Sequence, residues 1–207
     1  GCIHAVSLNI DEIGWDEESK SFIGGYPRPI SHLFKLYPWE WLMMDEYGWR
    51  VKESKTQFIE PAWKMLLSTK ALLPLLWKRH PGHHLLLPAW FEGDPNIPKD
   101  WNRLVRKPLL GREGANITII RNDGKTYVVP NPIEQYNKHG YILQEYFSPQ
   151  VAVTPPGTRP GPKAVSVAPV IGSWIIGDKA CGIGIREDTS LITINASQFV
   201  PHYFVEG

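Results

Sequence analysis

The first part of the chain alternates apolar and polar side chains over short stretches. Residues 3–13 alternate with the period of two that is typical of strands, and residues 30–36 are also predicted as a strand. Residues 39–47 have helical spacing and are followed by Gly48, a residue type that commonly ends a helix. These patterns predict two strands and one short helix.

A second helical pattern begins at Pro61, a residue type that is favoured in the first turn of a helix. Pro74 interrupts it, because proline removes a backbone donor and crowds the preceding turn. We therefore expect two short helices with a break near Lys70, and then a loop over residues 80–88.

From residue 103 onward the pattern is that of a β-rich segment. Asn122-Asp123-Gly124 and Gly177-Asp178 are hairpin turn signals, and the proline-rich stretch 151–163 predicts a surface loop. Helices followed by a mostly antiparallel sheet indicate an α+β fold. The predicted strands cover residues 103–107, 116–121, 125–129, 141–147, 164–177, 181–186 and 190–195.

Composition narrows the function classes. The chain has 207 residues, 43% of them hydrophobic, and a formal net charge of +1, so it can bury a core but has no field that steers it to nucleic acid or to an anionic membrane. No apolar run reaches the roughly 20 residues that a membrane span needs. Cys2 and Cys181 lie far apart, which fits a reducing cytoplasm or, alternatively, one long-range disulfide. The apolar strand around Cys181 predicts a buried thiol. The start at Gly1 suggests a fragment.

Aromatic residues make up 12% of the chain, with nine tryptophans. Many of them lie between residues 34 and 63. They fit a packed core or a domain interface, and alternatively some could line a substrate cleft.

Residues 106–116 carry the strongest chemical signal. Lys107 ends a predicted strand and precedes a loop with Gly111 and Gly114, after which a β-branched run begins. Glycine lets the main chain approach a phosphate closely and expose its N–H groups, and lysine adds a point charge. A strand follows the loop, so neither a P-loop nor a dinucleotide fingerprint fits. The alternative for Lys107 is an ordinary surface lysine at a strand end.

Three further features support a nucleotide site only in combination. Lys70 lies at a predicted helix break, although a solvent-facing lysine explains it equally. The strand 141–147 ends in polar residues and could give adenine an apolar slot with backbone donors, or could simply exit to a loop. Arg186 could hold a phosphate or carboxylate, or could pair with Glu187 or Asp188, of which Glu187 is the poorer partner because adjacent strand residues point to opposite faces.

Four stretches together resemble the glutathionylspermidine synthase family, and most of all its short acid–amine ligases without an amidase domain: residues 34–41, 60–74, 107–117 and 182–188. The resemblance implies an ATP-grasp fold that holds ATP between two α+β lobes, with Mg²⁺ on the phosphates. It also implies that an acid, glutathione or peptide-like, is activated as an acyl phosphate and then joined to a polyamine-like amine.

The resemblance also assigns roles to individual residues. Arg186 would stabilise the charge that grows on the transferred phosphoryl group. The other matched positions would contact ATP. Its phosphates would be bound by Lys70 and Lys107 and covered by the loop with Gly111, Gly114 and Ala115. The adenine would lie against Gln144, Glu145, Tyr146 and Phe147, and the last ATP-contacting strand would contain Leu191 and Thr193.

On this basis residues 1–207 are expected to be the C-terminal part of an ATP-grasp ligase domain. The helical and aromatic segment would be 30–90 and the ATP-binding β-rich lobe 103–200. The family's Arg-x-Asp-Phe and Glu-x-Asn-Ala-Asp patterns have no match here, so the Mg²⁺ ligands are expected outside this chain, which we expect to be inactive alone. A non-catalytic nucleotide- or peptide-binding module, and a β-rich interaction domain, are the alternatives.

Overall fold

The computed structural model describes residues 5–25, 28–128, 132–154 and 165–203. The chain divides into two compact units, Gly1–Ser68 and Thr69–Gly207. All the residues that the resemblance assigns to ATP or to catalysis, from Lys70 to Thr193, therefore lie in the second unit.

The first unit contains two small sheets and short helices. Its elements are an antiparallel hairpin of β1 (Gly14–Asp16) and β2 (Ser21–Ile23), a parallel pair of β3 (His32–Phe34) and β4 (Gln57–Ile59), the helices α1 (Trp39–Leu42) and α2 (Met65–Ser68), and 3₁₀ helices at Ile10–Glu12, Gly48–Glu53 and Ala62–Lys64.

Two predictions in this unit are wrong. The predicted strand 3–13 does not form: its described residues 5–9 are in no helix or strand, and Ile10–Glu12 form a 3₁₀ helix, where the Glu12 carboxylate accepts a hydrogen bond from the Asn9 amide at 2.7 Å and closes a turn. The predicted helix 39–47 is only four residues long. Gly48 does not end it but starts a 3₁₀ helix.

Aromatic rings form the core of the first unit. Phe22 is 1% exposed and lies edge-on to Trp15 and Phe58, with ring centroids 5.3 and 5.4 Å apart, and Trp39 packs on Phe58 at 5.0 Å. Large buried rings are the strongest single contributors to a small core. The core interpretation of the aromatic segment between residues 34 and 63 therefore holds for Trp39, which packs on Phe58. Three aromatic residues of that segment are exposed instead: Phe34, Trp49 and Trp63.

The second unit is built on a five-stranded antiparallel sheet. The break near Lys70 is confirmed, since α2 ends at Ser68 and α3 begins at Leu72. The predicted strands 103–107, 116–121, 125–129 and 141–147 are confirmed with shifted ends, although residue 129 lies outside the described part. The elements are α3 (Leu72–Arg79), β5 (Ala89–Phe91), β6 (Arg103–Pro108), β7 (Thr118–Arg121), β8 (Thr126–Val128), the 3₁₀ helix Glu134–His139 and β9 (Tyr141–Glu145). The strand order in the sheet is β5-β9-β6-β7-β8, and α3 contacts β5.

A second antiparallel sheet has four strands, β10 (Ala152–Thr154), β11 (Val165–Ile176), β12 (Lys179–Asp188) and β13 (Gln198–Val200). The hairpin at Gly177 and Asp178 is confirmed, and both residues have positive φ. The outer half of this β11–β12 ribbon is exposed on both faces, so the prediction that Cys181 is buried is wrong. Of the predicted proline-rich loop 151–163, residues 152–154 form β10 instead, and residues 155–163 lie outside the described residues, as does Cys2.

The predicted strand over residues 190–195 is wrong. Ser190 donates to the Ile192 carbonyl at 2.5 Å, and the Ser197 hydroxyl accepts from the Ile194 amide at 2.8 Å. These local side-chain hydrogen bonds take the place of hydrogen bonds between strands, because serine side chains often compete with secondary structure for backbone groups. The last strand starts only at Gln198.

The fold is α+β, with short helices and mostly antiparallel sheets, as predicted. In the part of the chain that the structure describes, no helix has both the length and the apolar character to cross a membrane.

Candidate functional site

Lys70 lies in the short link between α2 and α3 and is bonded to the start of the glycine loop. Its backbone amide donates to the Leu109 carbonyl at 2.9 Å, and its ammonium donates to the Gly111 carbonyl at 2.8 Å. Thr69 reinforces this contact, since its hydroxyl donates to the same Leu109 carbonyl at 3.3 Å. The structure therefore joins two positions that are 41 residues apart in sequence.

Lys107 lies near the end of β6, and its side chain meets Gln144 on β9. The register pairs Val105 with Gln144 and Lys107 with Ile142, which places these side chains on one face of the sheet. The Lys107 ammonium donates to the Gln144 side-chain oxygen at 2.8 Å. The contact joins two predicted site residues, and Gln144 is only 6% exposed.

The electrostatics of Lys107 are unusual for a lysine. Burial lowers the pKa of its ammonium, because removal from water disfavours the charged form. Its hydrogen-bond partner is a neutral amide. Among the described residues, no carboxylate lies within ion-pair distance of this ammonium.

The glycine loop connects β6 to β7 as the predicted strand–loop–strand unit. Gly114 has a φ of +73°, and a Cβ there would lie 2.5 Å from the Thr193 carbonyl oxygen. Only glycine fits this close approach without displacing backbone. The structure thus brings Gly114 and the neighbouring Ala115 against the segment that contains Leu191 and Thr193.

A small apolar cluster explains this packing. Ile119 on β7 and Ile192 are both buried, at 6% and 7% exposure. Val105, Ile117, Tyr146 and Ile194 pack around them. Leu191, in contrast, is 47% exposed.

Asn116 is a structural residue of the site that sequence reasoning missed. It is 7% exposed and has a φ of +59°. Its amide group donates to the Ile133 carbonyl at 2.8 Å and to Asn137 at 2.7 Å, and it accepts from the Ile133 amide at 2.7 Å. The signal was present, since asparagine after a glycine loop is a frequent left-handed residue with a side chain that mimics backbone.

In the predicted adenine segment, residues 144–147, two backbone amides donate to carbonyls of the protein itself. The Glu145 amide donates to the Pro88 carbonyl at 2.8 Å, and the Tyr146 amide donates to the Arg103 carbonyl at 3.2 Å. The Phe147 amide makes no such bond to a described residue, and its side chain is 67% exposed. If this segment binds adenine, its backbone donor is that of Phe147.

Arg186 points at backbone carbonyls. Its Nη2 donates to the Ile194 carbonyl at 2.5 Å, with the Asn195 and Ser197 carbonyls at 3.5 Å, and its guanidinium lies 5.3 Å from the Phe199 ring centroid. Its predicted alternative partner, Asp188, instead accepts hydrogen bonds from the Ser190 amide and the Ser197 hydroxyl. Arg186 therefore anchors the segment that carries Thr193.

A cavity of about 770 Å³ opens where β6 begins and β9 ends. Glu145 and Tyr146 line it, whereas Lys70, Lys107 and Gly114 do not. Within residues 5–25, 28–128, 132–154 and 165–203, no group of three or more His, Cys, Asp or Glu side chains is placed to hold a metal ion.

Comparisons with known proteins identify the family of the chain. The chain matches the family described as "Glutathionylspermidine synthase preATP-grasp" over residues 1–205. It is 44% identical over 201 residues to "Putative acid–amine ligase" of Haemophilus influenzae, covering 96% of this chain and 48% of that protein.

Two further relatives are longer and more distant. Trypanothione synthetase of Crithidia fasciculata is 34% identical over 139 residues, which is 66% of this chain and 18% of that protein. Glutathionylspermidine synthase of the same organism is 26% identical over 227 residues, which is 87% of this chain and 30% of that protein. The chain thus spans about half of the Haemophilus relative and less of the others, and it belongs to the glutathionylspermidine synthase family.

Proposed function

We propose that this chain forms the nucleotide-binding part of an ATP-dependent acid–amine ligase. The family makes the ligase class the expected activity of the whole protein. The proposed acid is glutathione or a similar peptide and the proposed amine is a polyamine, because the names of the relatives specify glutathionylspermidine and trypanothione. We also propose a cytoplasmic location.

The observation that carries this proposal is the environment of Lys107. Lys107 is half-buried, and removing an ammonium from water is costly unless an anion pairs with it. Its partner in the described structure is the neutral Gln144 side chain, so the charge is hydrogen-bonded but not neutralised. An incoming phosphate oxygen would supply the missing negative charge.

The glycine loop adds donors of the type that a phosphate needs. Residues 113, 114 and 116 all have positive φ, and turns of this kind can expose backbone N–H groups to an anion. The Glu113 and Gly114 amides donate to no acceptor among the described residues, whereas the Ala115 amide donates to Arg112. These two free N–H groups and Lys107 support phosphate binding by the loop.

The proposed chemistry proceeds in two steps. A carboxylate oxygen of the acid attacks the γ-phosphorus of ATP, and the bond to ADP breaks, which leaves an acyl phosphate. The amine nitrogen then attacks the acyl carbon, phosphate leaves, and the C–N bond forms with loss of a proton. Mg²⁺ would offset phosphate charge in the first step, and we expect its ligands outside this chain.

The test is the affinity of the chain for ADP, measured by calorimetry with two matched variants. Lys107→Met should weaken binding by about 10-fold to 100-fold, the loss expected for one charge-assisted hydrogen bond. Lys125→Met removes an exposed lysine of the β7–β8 turn and should leave the affinity unchanged. Equal affinity of the Lys107→Met variant would contradict the proposal.

The pH dependence gives a second readout with a defined sign. Since the pKa of Lys107 is lowered, the lysine loses its proton at a lower pH than an exposed lysine, and ADP affinity should fall as pH rises through that pKa. In the ligand-free chain, the charged Lys107 ammonium lowers the free energy of unfolding at pH values below the pKa that Lys107 has in the folded state. This loss of stability is gone at pH values above the pKa of a lysine in the unfolded chain. Lys107→Met should therefore not lower the melting temperature at neutral pH.

Catalysis is tested with the whole protein that contains this chain. Mass spectrometry after incubation with ATP, glutathione or short peptides, and polyamines should detect an amide product. ADP binding without any product would favour the non-catalytic nucleotide-binding module instead.

A further inference from the structure

Gln144 is a polar side chain in an apolar part of the five-stranded sheet. It lies on β9 between Ala89 of β5 and Val105 of β6, and the register places these two residues beside it on the same face. Ala89 and Gln144 are both buried. A buried amide destabilises a fold unless its polar atoms are hydrogen-bonded. Gln144 therefore contributes something other than apolar packing to this face.

The hydrogen bond with Lys107 fixes the orientation of this amide. Lys107 lies two residues beyond Val105 on β6, so it is a diagonal neighbour of Gln144 and its long side chain can reach the amide. An ammonium group has only donors, so the Gln144 oxygen faces it and the amide nitrogen points away from it. The contact holds in one place a side chain that otherwise has many rotamers.

We propose that Gln144 is a positioning residue for Lys107: its neutral amide holds the ammonium in place and leaves the positive charge available to a phosphate. A glutamate of the same shape would accept the same hydrogen bond, but its carboxylate would also neutralise the charge. A phosphate oxygen would then have to displace that carboxylate. The inference rests on the proposed function, and it differs from the adenine contact that the resemblance implies for Gln144.

The first test uses the full chain without ligand and does not depend on nucleotide binding. In a sample labelled with ¹⁵N-lysine, the protons of the Lys107 ammonium should exchange with water more slowly than those of Lys125, whose side chain is 79% exposed. Gln144→Met removes the acceptor with little change of volume and should abolish this protection. Protection that persists in Gln144→Met would overturn the proposal, because another group would then hold the ammonium.

The second test is a double-mutant cycle on ADP affinity, measured by calorimetry. Gln144→Met should weaken ADP binding about threefold to tenfold, the loss expected for one hydrogen bond. In the Lys107→Met background the same substitution should weaken binding no further, because Gln144 acts through Lys107. Gln57→Met, at an exposed glutamine of β4, is the matched control and should leave the affinity unchanged.

Two results of the cycle would overturn the proposal. Unchanged or tighter ADP binding by Gln144→Met would show that the amide does not prepare Lys107 for the ligand. Additive losses in the double variant would assign Gln144 to a direct contact with the nucleotide.

Gln144→Glu separates the position of the ammonium from its charge. The glutamate keeps the hydrogen bond and neutralises the ammonium, so it should keep the exchange protection but weaken ADP binding about 10-fold to 100-fold. An affinity equal to that of the unchanged chain would contradict the proposal, because the neutrality of the amide would then have no role. If Lys107→Met leaves the ADP affinity unchanged, the proposed function fails, and the exchange measurement still decides whether Gln144 holds Lys107.

Discussion

The glycine loop, residues 109–117, and the tip of the β11–β12 ribbon both join antiparallel strands through residues with positive φ, but their surroundings differ. Gly114 lies against the Thr193 carbonyl, and Asn116 is buried and hydrogen-bonded. At the ribbon tip, a Cβ on Gly177 would have no atom within 4 Å. Similar backbone conformations are therefore fixed by packing in one region and by the turn alone in the other.

This difference bears on the proposed phosphate binding. The main chain of the glycine loop packs against the Thr193 carbonyl at Gly114 and is hydrogen-bonded to Ile133 through Asn116. A loop fixed in this way can present its amides to a ligand in a defined geometry. An open turn such as Gly177-Asp178 only reverses the chain. Each of the following variants tests whether the glycine loop is constrained in the way that the ribbon tip is not.

Gly114→Ala should have the largest effect. A left-handed alanine costs about 1–2 kcal/mol, and overpacking against the Thr193 backbone adds about 1–3 kcal/mol, so we expect a loss of about 3 kcal/mol in the free energy of unfolding. Urea denaturation measures it. Gly82→Ala is the matched control, because Gly82 has a φ of +74° and no atom within 4 Å of the added Cβ.

The control should therefore show the conformational cost alone, about 1–2 kcal/mol. If the free energy of unfolding falls by the same amount in both variants, the contact between the glycine loop and Thr193 does not contribute to stability.

Asn116→Asp should follow, with a loss of about 2 kcal/mol, because a carboxylate cannot donate to the Ile133 carbonyl or to Asn137. The loss should shrink as pH falls, since protonation restores one donor. Asn122→Asp, in the exposed β7–β8 turn, is the control and should change stability little at either pH. An Asn116→Asp variant as stable as the control would show that the anchor is dispensable.

Arg186→Met should cost about 1–2 kcal/mol, because it removes the bonds from the guanidinium to the Ile194 carbonyl and its neighbours while keeping an apolar stem. Arg186→Lys should recover part of this loss. Thermal denaturation of the ligand-free chain is the measurement. Unchanged stability, with loss of ligase activity in the whole protein, would instead assign Arg186 to the reacting phosphate.

Local signals predicted the second unit well. The Asn122-Asp123-Gly124 and Gly177-Asp178 turns fix the connection length of two hairpins, and the apolar strands around them have no competing pattern. Residues 3–13 and 190–195 show the limit of such signals. Their alternation is that of a strand, but Asn9 with Glu12, and Ser190 with Ser197, offer local hydrogen bonds that the periodicity does not contain.

The candidate site was predictable in its parts but not in its contacts. The resemblance points to Lys70, Lys107 and the glycine loop by position. Only the structure shows that Lys70 bonds to the Gly111 carbonyl and that Lys107 bonds to Gln144, because both pairs are distant in sequence. Whether these residues bind ATP stays a prediction.

Gly177→Ala should have the smallest effect of the series. The added methyl group meets no neighbour, so the cost is the left-handed conformation alone, about 1 kcal/mol. Gly177→Asn should cost less, because asparagine is accepted at this position of a hairpin turn with two positive φ values. Urea denaturation measures the stability of both variants, and calorimetry measures their ADP affinity, which should equal that of the unchanged chain. A weaker affinity would mean that the ribbon tip also contacts the nucleotide, and the contrast between a constrained loop and an open turn would no longer separate a binding element from a connecting one.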